Sequence, residues 1–164
     1  MTVVIAQVKD GRRVMASDSL DHDNHLKYQA PKIINISNRI LIGISGMAKM
    51  YDIASRLTLK ANKKITQEYL AGLGQTLFEQ LKEELLVTKP DEIEAEMLFL
   101  TDIGIFSMSI DSPIYKHEGF WAIGSGQKLA LGYMEAGGNI EGAVACACKY
   151  DPNCGEPVTI EELK

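Results

Sequence analysis

No stretch of this 164-residue chain is apolar for the ~20 residues that a membrane-crossing helix needs. Its N-terminus lacks the charged-then-apolar pattern of a secretory signal. These absences lead to the expectation of a cytoplasmic protein without membrane contact. No basic block occurs, and the net charge is −5, so a nucleic-acid partner is not expected. Cysteine is scarce: Cys146, Cys148 and Cys154 are an odd number close together, which reads as reduced thiols in a reducing compartment. A zinc site would want a second pair of ligands at suitable spacing, and none appears. Linkers, repeats and low-complexity segments are missing too, so residues 1–164 read as a single domain able to bury a substantial core.

What is present begins with Met1 to Asp18. Two apolar, β-branched runs flank Asp10-Gly11, the strongest short-range signal for a tight hairpin. Such a hairpin returns Asp18 alongside Thr2. Thr2 is small enough for methionine aminopeptidase to expose it, and a free N-terminal threonine carries a hydroxyl nucleophile and an amine base on one residue. The polar segment Ser19 to Ala30 holds Asp21-His22-Asp23-Asn24-His25, two carboxylates and two imidazoles, and reads as a solvated loop rather than a metal cluster.

Lys32–Ile36 and Arg39–Ile44 read as a second hairpin around Ser37-Asn38. Helical spacing follows from Met50, and again from about Thr66 to Leu86, where Leu70, Leu73, Leu77, Leu81 and Leu85 make a core-facing stripe. The Lys89-Pro90 step ends that region. Strands are expected at 96–100, 104–108, 114–116 and 120–123. Helices follow Gly124-Ser125-Gly126 and Asn139, and a short strand lies around Val158-Thr159-Ile160. Strands and helices are grouped rather than alternating, which points to an α+β layered domain.

Thr2, Ala16-Ser17-Asp18 and Pro31-Lys32-Ile33 resemble the proteasome β-type family of N-terminal nucleophile (Ntn) hydrolases, which includes the HslV-type peptidase and phage-encoded relatives. The resemblance spans essentially the whole chain. It implies a four-layer αββα sandwich and a threonine endopeptidase in which Thr2 attacks and Lys32 pairs with Asp18 and polarises the hydroxyl. Gly46 matches the glycine whose N–H lines the oxyanion hole; Met47 stands where a second glycine is frequent and narrows the cleft. Ser125 matches a serine near the threonine amine, although Gly124-Ser125-Gly126 reads equally as a helix cap. Asp151 matches the aspartate that orients the amine, and Cys154 replaces a serine, weakening that network because a thiol is a poorer donor.

The resemblance further implies a homo-oligomeric ring, single or stacked, that takes unfolded polypeptide or peptides and leaves room for an AAA+ ATPase unfoldase. No cofactor is expected, except that the HslV type can hold a monovalent cation through backbone carbonyls of the Tyr150–Glu156 loop. Two other functions stay open. One is a noncatalytic ring subunit, which in proteasome α-subunits carries an extension before the first strand, whereas here the strand begins at once. The other is an Ntn amidase acting on a small amide.

Overall fold

The computed structural model describes residues 2–23, 26–60, 62–86 and 93–164. β1 (Val4–Lys9) and β2 (Arg12–Ser17) form the first hairpin, with Val4 opposite Ser17 and Lys9 opposite Arg12. Its turn holds Asp10 and Gly11 at φ 50° and 79°, the left-handed angles that a two-residue turn between twisted strands requires.

The segment expected to be a solvated loop is instead mostly paired. β3 (Leu20–Asp23) and β4 (Leu26–Gln29) run antiparallel, with Leu20 opposite Gln29. The reason lies at its ends. Ser19 N–H donates to Gly155 O at 3.0 Å and Ala30 N–H to Ser19 O at 2.9 Å, so the intervening chain must fold back on itself. Asn24-His25, Met1 and the Lys89-Pro90 step lie outside the described residues.

β5 (Ile33–Ile36) and β6 (Ile40–Gly46) make the second hairpin, turning at Ser37 and Asn38 with φ 55° and 52°. Helix α1 (Ala48–Ser55) follows, then α2 (Gln67–Leu85), whose first turn is closed by Thr66 accepting Tyr69 N–H at 3.1 Å. The expected stripe on α2 is core, with Leu70, Leu77 and Leu81 fully buried and Leu73 and Leu85 partly so. Burial of each of the first three contributes about 1.5–3 kcal/mol.

Strands β7 (Ala95–Thr101), β8 (Gly104–Ser109), β9 (Tyr115–His117) and β10 (Phe120–Ile123) lead into α3 (Gln127–Glu135) and α4 (Ile140–Tyr150). Asn139 caps α4 by accepting Gly142 N–H at 2.8 Å. The last strand, β11 (Thr159–Leu163), runs further than its apolar start predicts, because it pairs along β2 from Thr159–Ser17 to Leu163–Arg13. At that edge Arg12 and Glu162 meet through two hydrogen bonds of 3.0 and 2.9 Å.

Besides the two-stranded β3-β4 sheet, two larger antiparallel sheets result, in the orders β10-β1-β2-β11 and β5-β6-β7-β8-β9. Successive side chains point to opposite faces of a strand, and here both faces are dry. Val3, Ile5 and Ala16 pack with α3 and α4, whereas Val4, Ala6 and Met15 pack between the sheets. On the second sheet Ile42, Ile44, Met97 and Phe99 face α1 and α2, while Leu41, Leu98 and Leu100 face the first sheet. Helices therefore cover both outer faces, the expected αββα sandwich. Gly43 lets the sheets close together: a Cβ there would lie 2.4 Å from Val4 Cγ1.

Candidate active site

Thr2 lies two residues before the first residue of β1, and the hairpin register carries Asp18 to it. Asp18 N–H donates to Val3 O at 3.2 Å, and Val3 N–H returns a bond to Asp18 Oδ1 at 3.0 Å. The Thr2 hydroxyl donates to the same carboxylate oxygen in a short hydrogen bond. Asp18 is fully buried, and its Oδ2 accepts Leu20 N–H at 3.2 Å and Gly155 N–H at 3.1 Å. Lys32, at the entry to β5, sets its ammonium 3.3 Å from both carboxylate oxygens and also donates to Leu20 O. Ile44 N–H holds the Lys32 carbonyl at 2.9 Å, tying the lysine backbone to β6. A buried charge is tolerated only when paired and hydrogen-bonded, and Asp18 meets both conditions.

Gly46 ends β6 with φ 100°. Along an antiparallel strand successive N–H groups point to opposite neighbours. Ile44 N–H faces the β5 side, and Met47 N–H faces β7, bonding Glu94 O at 3.0 Å. The Gly46 N–H is thereby directed to the β5 side, beyond the point where β5 has ended. A cavity of about 120 Å³ lies there, bordered by Thr2, Lys32, Ile44, Gly46, Met47 and Tyr51. No other residue type fits at 46, since a Cβ would come within 1.8 Å of Glu94 O. Gly46→Ala is expected to destabilise the fold by about 3 kcal/mol or more, through a backbone clash at a left-handed position. Urea unfolding measures this, and an unchanged midpoint would mean that the strand end can shift without cost.

Ser125 is not a helix cap. The residue capping α3 is Gly126, without a side-chain bond, and the serine hydroxyl instead donates to Thr2 O at 3.4 Å. Gly126 N–H donates to the same carbonyl at 3.3 Å. Gly124, at φ 92°, must be glycine because a Cβ would sit 2.2 Å from Thr2 O.

Asp151 joins at one remove. Its carboxylate accepts Asn153 N–H at 2.9 Å, Asn153 Nδ2 at 3.1 Å and the Cys154 thiol at 3.4 Å. Burial works against its ionisation, but hydrogen bonds from Ser125, Asn153 and Cys154 together outweigh burial and hold the carboxyl below its usual range. Burial, with Asp18 and Asp151 nearby, pushes the Cys154 thiol far above its ordinary pKa, so it is a neutral and weak donor. Burial likewise raises Cys148 to about 11.

Thr2, Asp18, Lys32 and Gly46 thus converge directly, Ser125 bonds the Thr2 backbone, and Asp151 bonds Asn153 and Cys154 in the loop that carries Gly155 to Asp18. Three contributors were not legible from the chain. The Leu20 carbonyl and Gly155 N–H serve through the backbone, where residue type leaves little trace. Glu96 accepts Gly124 N–H at 3.1 Å and holds the serine turn, in a strand where a lone Glu reads as an edge charge. Among the described residues, no group of three or more His, Cys, Asp or Glu is arranged to hold a metal ion.

This architecture, with a threonine, a buried aspartate and a lysine at one end of facing sheets, defines the proteasome-like Ntn-hydrolase fold. No family model and no curated protein sequence matches the chain. Solved structures do. Thiobacillus denitrificans BPH is 25% identical with a TM-score of 0.81, covering 99% of this chain and 98% of that one. The same protein in complex with epoxomicin gives 24% and 0.79, covering 99% of each chain. Eukaryotic HslV from Trypanosoma brucei gives 18% and 0.71, again covering 99% of each. The chain has the fold of the HslV and proteasome-like peptidases.

Proposed function

We propose that the chain is a threonine-type endopeptidase working inside a self-compartmentalising homo-oligomeric ring, with Thr2 as nucleophile once its α-amine is free. The observation that carries this reading is the buried Thr2 hydroxyl bonded to Asp18, which Lys32 neutralises at 3.3 Å. Amide hydrolysis needs a nucleophile, a base and donors for the developing oxyanion. The Thr2 hydroxyl attacks the scissile carbonyl carbon and its proton passes to the α-amine. Lys32 keeps a positive charge beside both groups, which favours the alkoxide and a neutral amine. The Gly46 N–H stabilises the oxyanion. Collapse breaks the C–N bond, the leaving amine takes the proton, and water then hydrolyses the ester on Thr2. Ser125 and Asp151 position the amine end. Nucleophile, base and oxyanion donor all come from the chain, so the reaction requires no cofactor. BPH in complex with epoxomicin, and HslV, are the neighbours that favour a peptidase over an amidase for a small amide.

While any residue precedes Thr2, its nitrogen is an amide and cannot act as a base. A chain released from a ubiquitin fusion so that Thr2 comes first, verified by intact mass, is therefore expected to hydrolyse fluorogenic peptides and to sediment as a ring. The form that keeps Met1 is expected to be inactive. Sedimentation of a monomer alone would remove the ring. Absence of hydrolysis with Thr2 first would remove the enzyme and leave the noncatalytic ring subunit.

A further inference from the structure

Side chains tie the two large sheets together on either side of Thr2. In the order β10-β1-β2-β11, Thr2 lies ahead of the strand between β10 and β2. In the order β5-β6-β7-β8-β9, Gly46 ends the strand between β5 and β7. On one side Lys32, entering β5, meets Asp18, which follows β2. On the other side Glu96, in β7, accepts at 3.1 Å the N–H of Gly124, which follows β10. The Thr2 hydroxyl and the Gly46 N–H therefore stand between a buried ion pair and a second bond that crosses from sheet to sheet.

The period of two along β7 aims Glu96 at the first sheet. Leu98 and Leu100 face that way, whereas Ala95, Met97 and Phe99 face α1 and α2. What Glu96 holds there is the turn against Thr2. Ser125 Oγ and Gly126 N–H both bond Thr2 O, and a Cβ at Gly124 would come within 2.2 Å of that same oxygen. Val3 N–H bonds Asp18, so the planar peptide between Thr2 and Val3 is held at its oxygen and at its N–H. That plane sets how the hydroxyl and the nitrogen of Thr2 are turned about the Cα–C bond. In the ladder Glu96 lies opposite Ser45, one residue from Gly46. One side chain thus links the strands that present the oxyanion donor to the turn that holds the nucleophile's backbone.

We infer that Glu96 is a positioning residue for the reaction, acting as a hydrogen-bond acceptor that fixes the Thr2 hydroxyl relative to the Gly46 N–H. The inference rests on the peptidase reading. Glu96, Gly124 and Ser125 border a cavity of about 330 Å³. Water entering it can satisfy the Gly124 N–H when the carboxylate is removed, so the fold survives the loss. A water is not anchored to β7, however, and it leaves the turn free to shift. A reacting group displaced by about 1 Å loses on the order of 10²-fold in rate.

Glu96→Ala, made in the chain with Thr2 first, is expected to lower kcat for fluorogenic peptides by about 10- to 100-fold with KM unchanged, because the loss falls on the transition state. Glu96→Asp, which draws the acceptor back by one methylene, takes its place should the alanine chain not fold. Glu96→Gln keeps a side-chain carbonyl at the same reach without the charge, and is expected to recover the rate to within about threefold of wild type. The second readout needs no turnover. The NMR order parameter of the Thr2 methyl group is expected to be high in wild type and Glu96→Gln and to fall in Glu96→Ala. Wild-type kcat in Glu96→Ala, or a loss confined to KM, overturns the inference. So does a glutamine chain as slow as the alanine chain, which would make the charge the active feature. A Thr2 methyl equally rigid in every chain overturns it whether or not peptide is cut. A methyl that loosens only in Glu96→Ala, while even the wild type hydrolyses nothing, leaves the Glu96 bond standing and overturns the peptidase.

Discussion

Thr2→Ala, made in the chain with Thr2 first, is expected to lower peptide hydrolysis by about 10⁴- to 10⁶-fold, the scale seen when a nucleophile is removed. The effect does not stop at activity. A hydroxyl at a chain end suggests a change with little buried area and hence no cost to folding. The structure corrects this: Thr2 is 2% exposed, and its hydroxyl is one of the donors satisfying a fully buried carboxylate. Removing one donor from a buried acceptor costs about 1–3 kcal/mol. Thr2→Ser keeps the oxygen and separates the two effects, since it should recover most of the stability and part of the rate. Fluorogenic peptide kinetics and urea midpoints on the three chains provide the readout. Hydrolysis by Thr2→Ala at the wild-type rate would show that another group is the nucleophile.

Lys32→Ala is expected to have the second largest effect, because it acts on the same buried carboxylate from its charged side. Without the ammonium, Asp18 remains a fully buried anion, and breaking a buried pair in this way costs about 3–5 kcal/mol. The lower end applies here, because the Thr2 hydroxyl and the N–H groups of Val3, Leu20 and Gly155 still bond the carboxylate. Activity should fall by about 10³-fold or more as the cation beside the nucleophile disappears. Cys154→Ala is the comparison. It removes one 3.4 Å bond from a neutral thiol to Asp151, which also keeps two bonds from Asn153. Its rate should stay within about tenfold of wild type. Activity that survives Lys32→Ala but is lost in Cys154→Ala would reverse the assignment of the charged partner.

What the chain determined by itself is whatever depends on neighbours a few residues away. Asp10-Gly11 dictates a two-residue turn, and the turn dictates the register that lays Asp18 against Thr2, so half of the buried pair is a local consequence. Thr66 and Asn139 start helices by bonding N–H groups three residues on, and the leucines of α2 keep the period of one helix face. Lys32, Gly46, Ser125 and Asp151 were legible by resemblance to a family rather than by any property of their surroundings. Tertiary structure decided the rest, because packing of two sheets brings together residues far apart in the chain and leaves no periodicity to read. It turned Ser125 from a helix cap toward the Thr2 carbonyl, and brought Gly155 N–H across 137 residues to Asp18. It folded a polar segment into β3 and β4 by pinning both ends, and brought Glu96 from the second sheet to Gly124 N–H. Hydrogen bonds to backbone atoms account for much of this, and a backbone N–H or carbonyl is the same in every residue that could have supplied it.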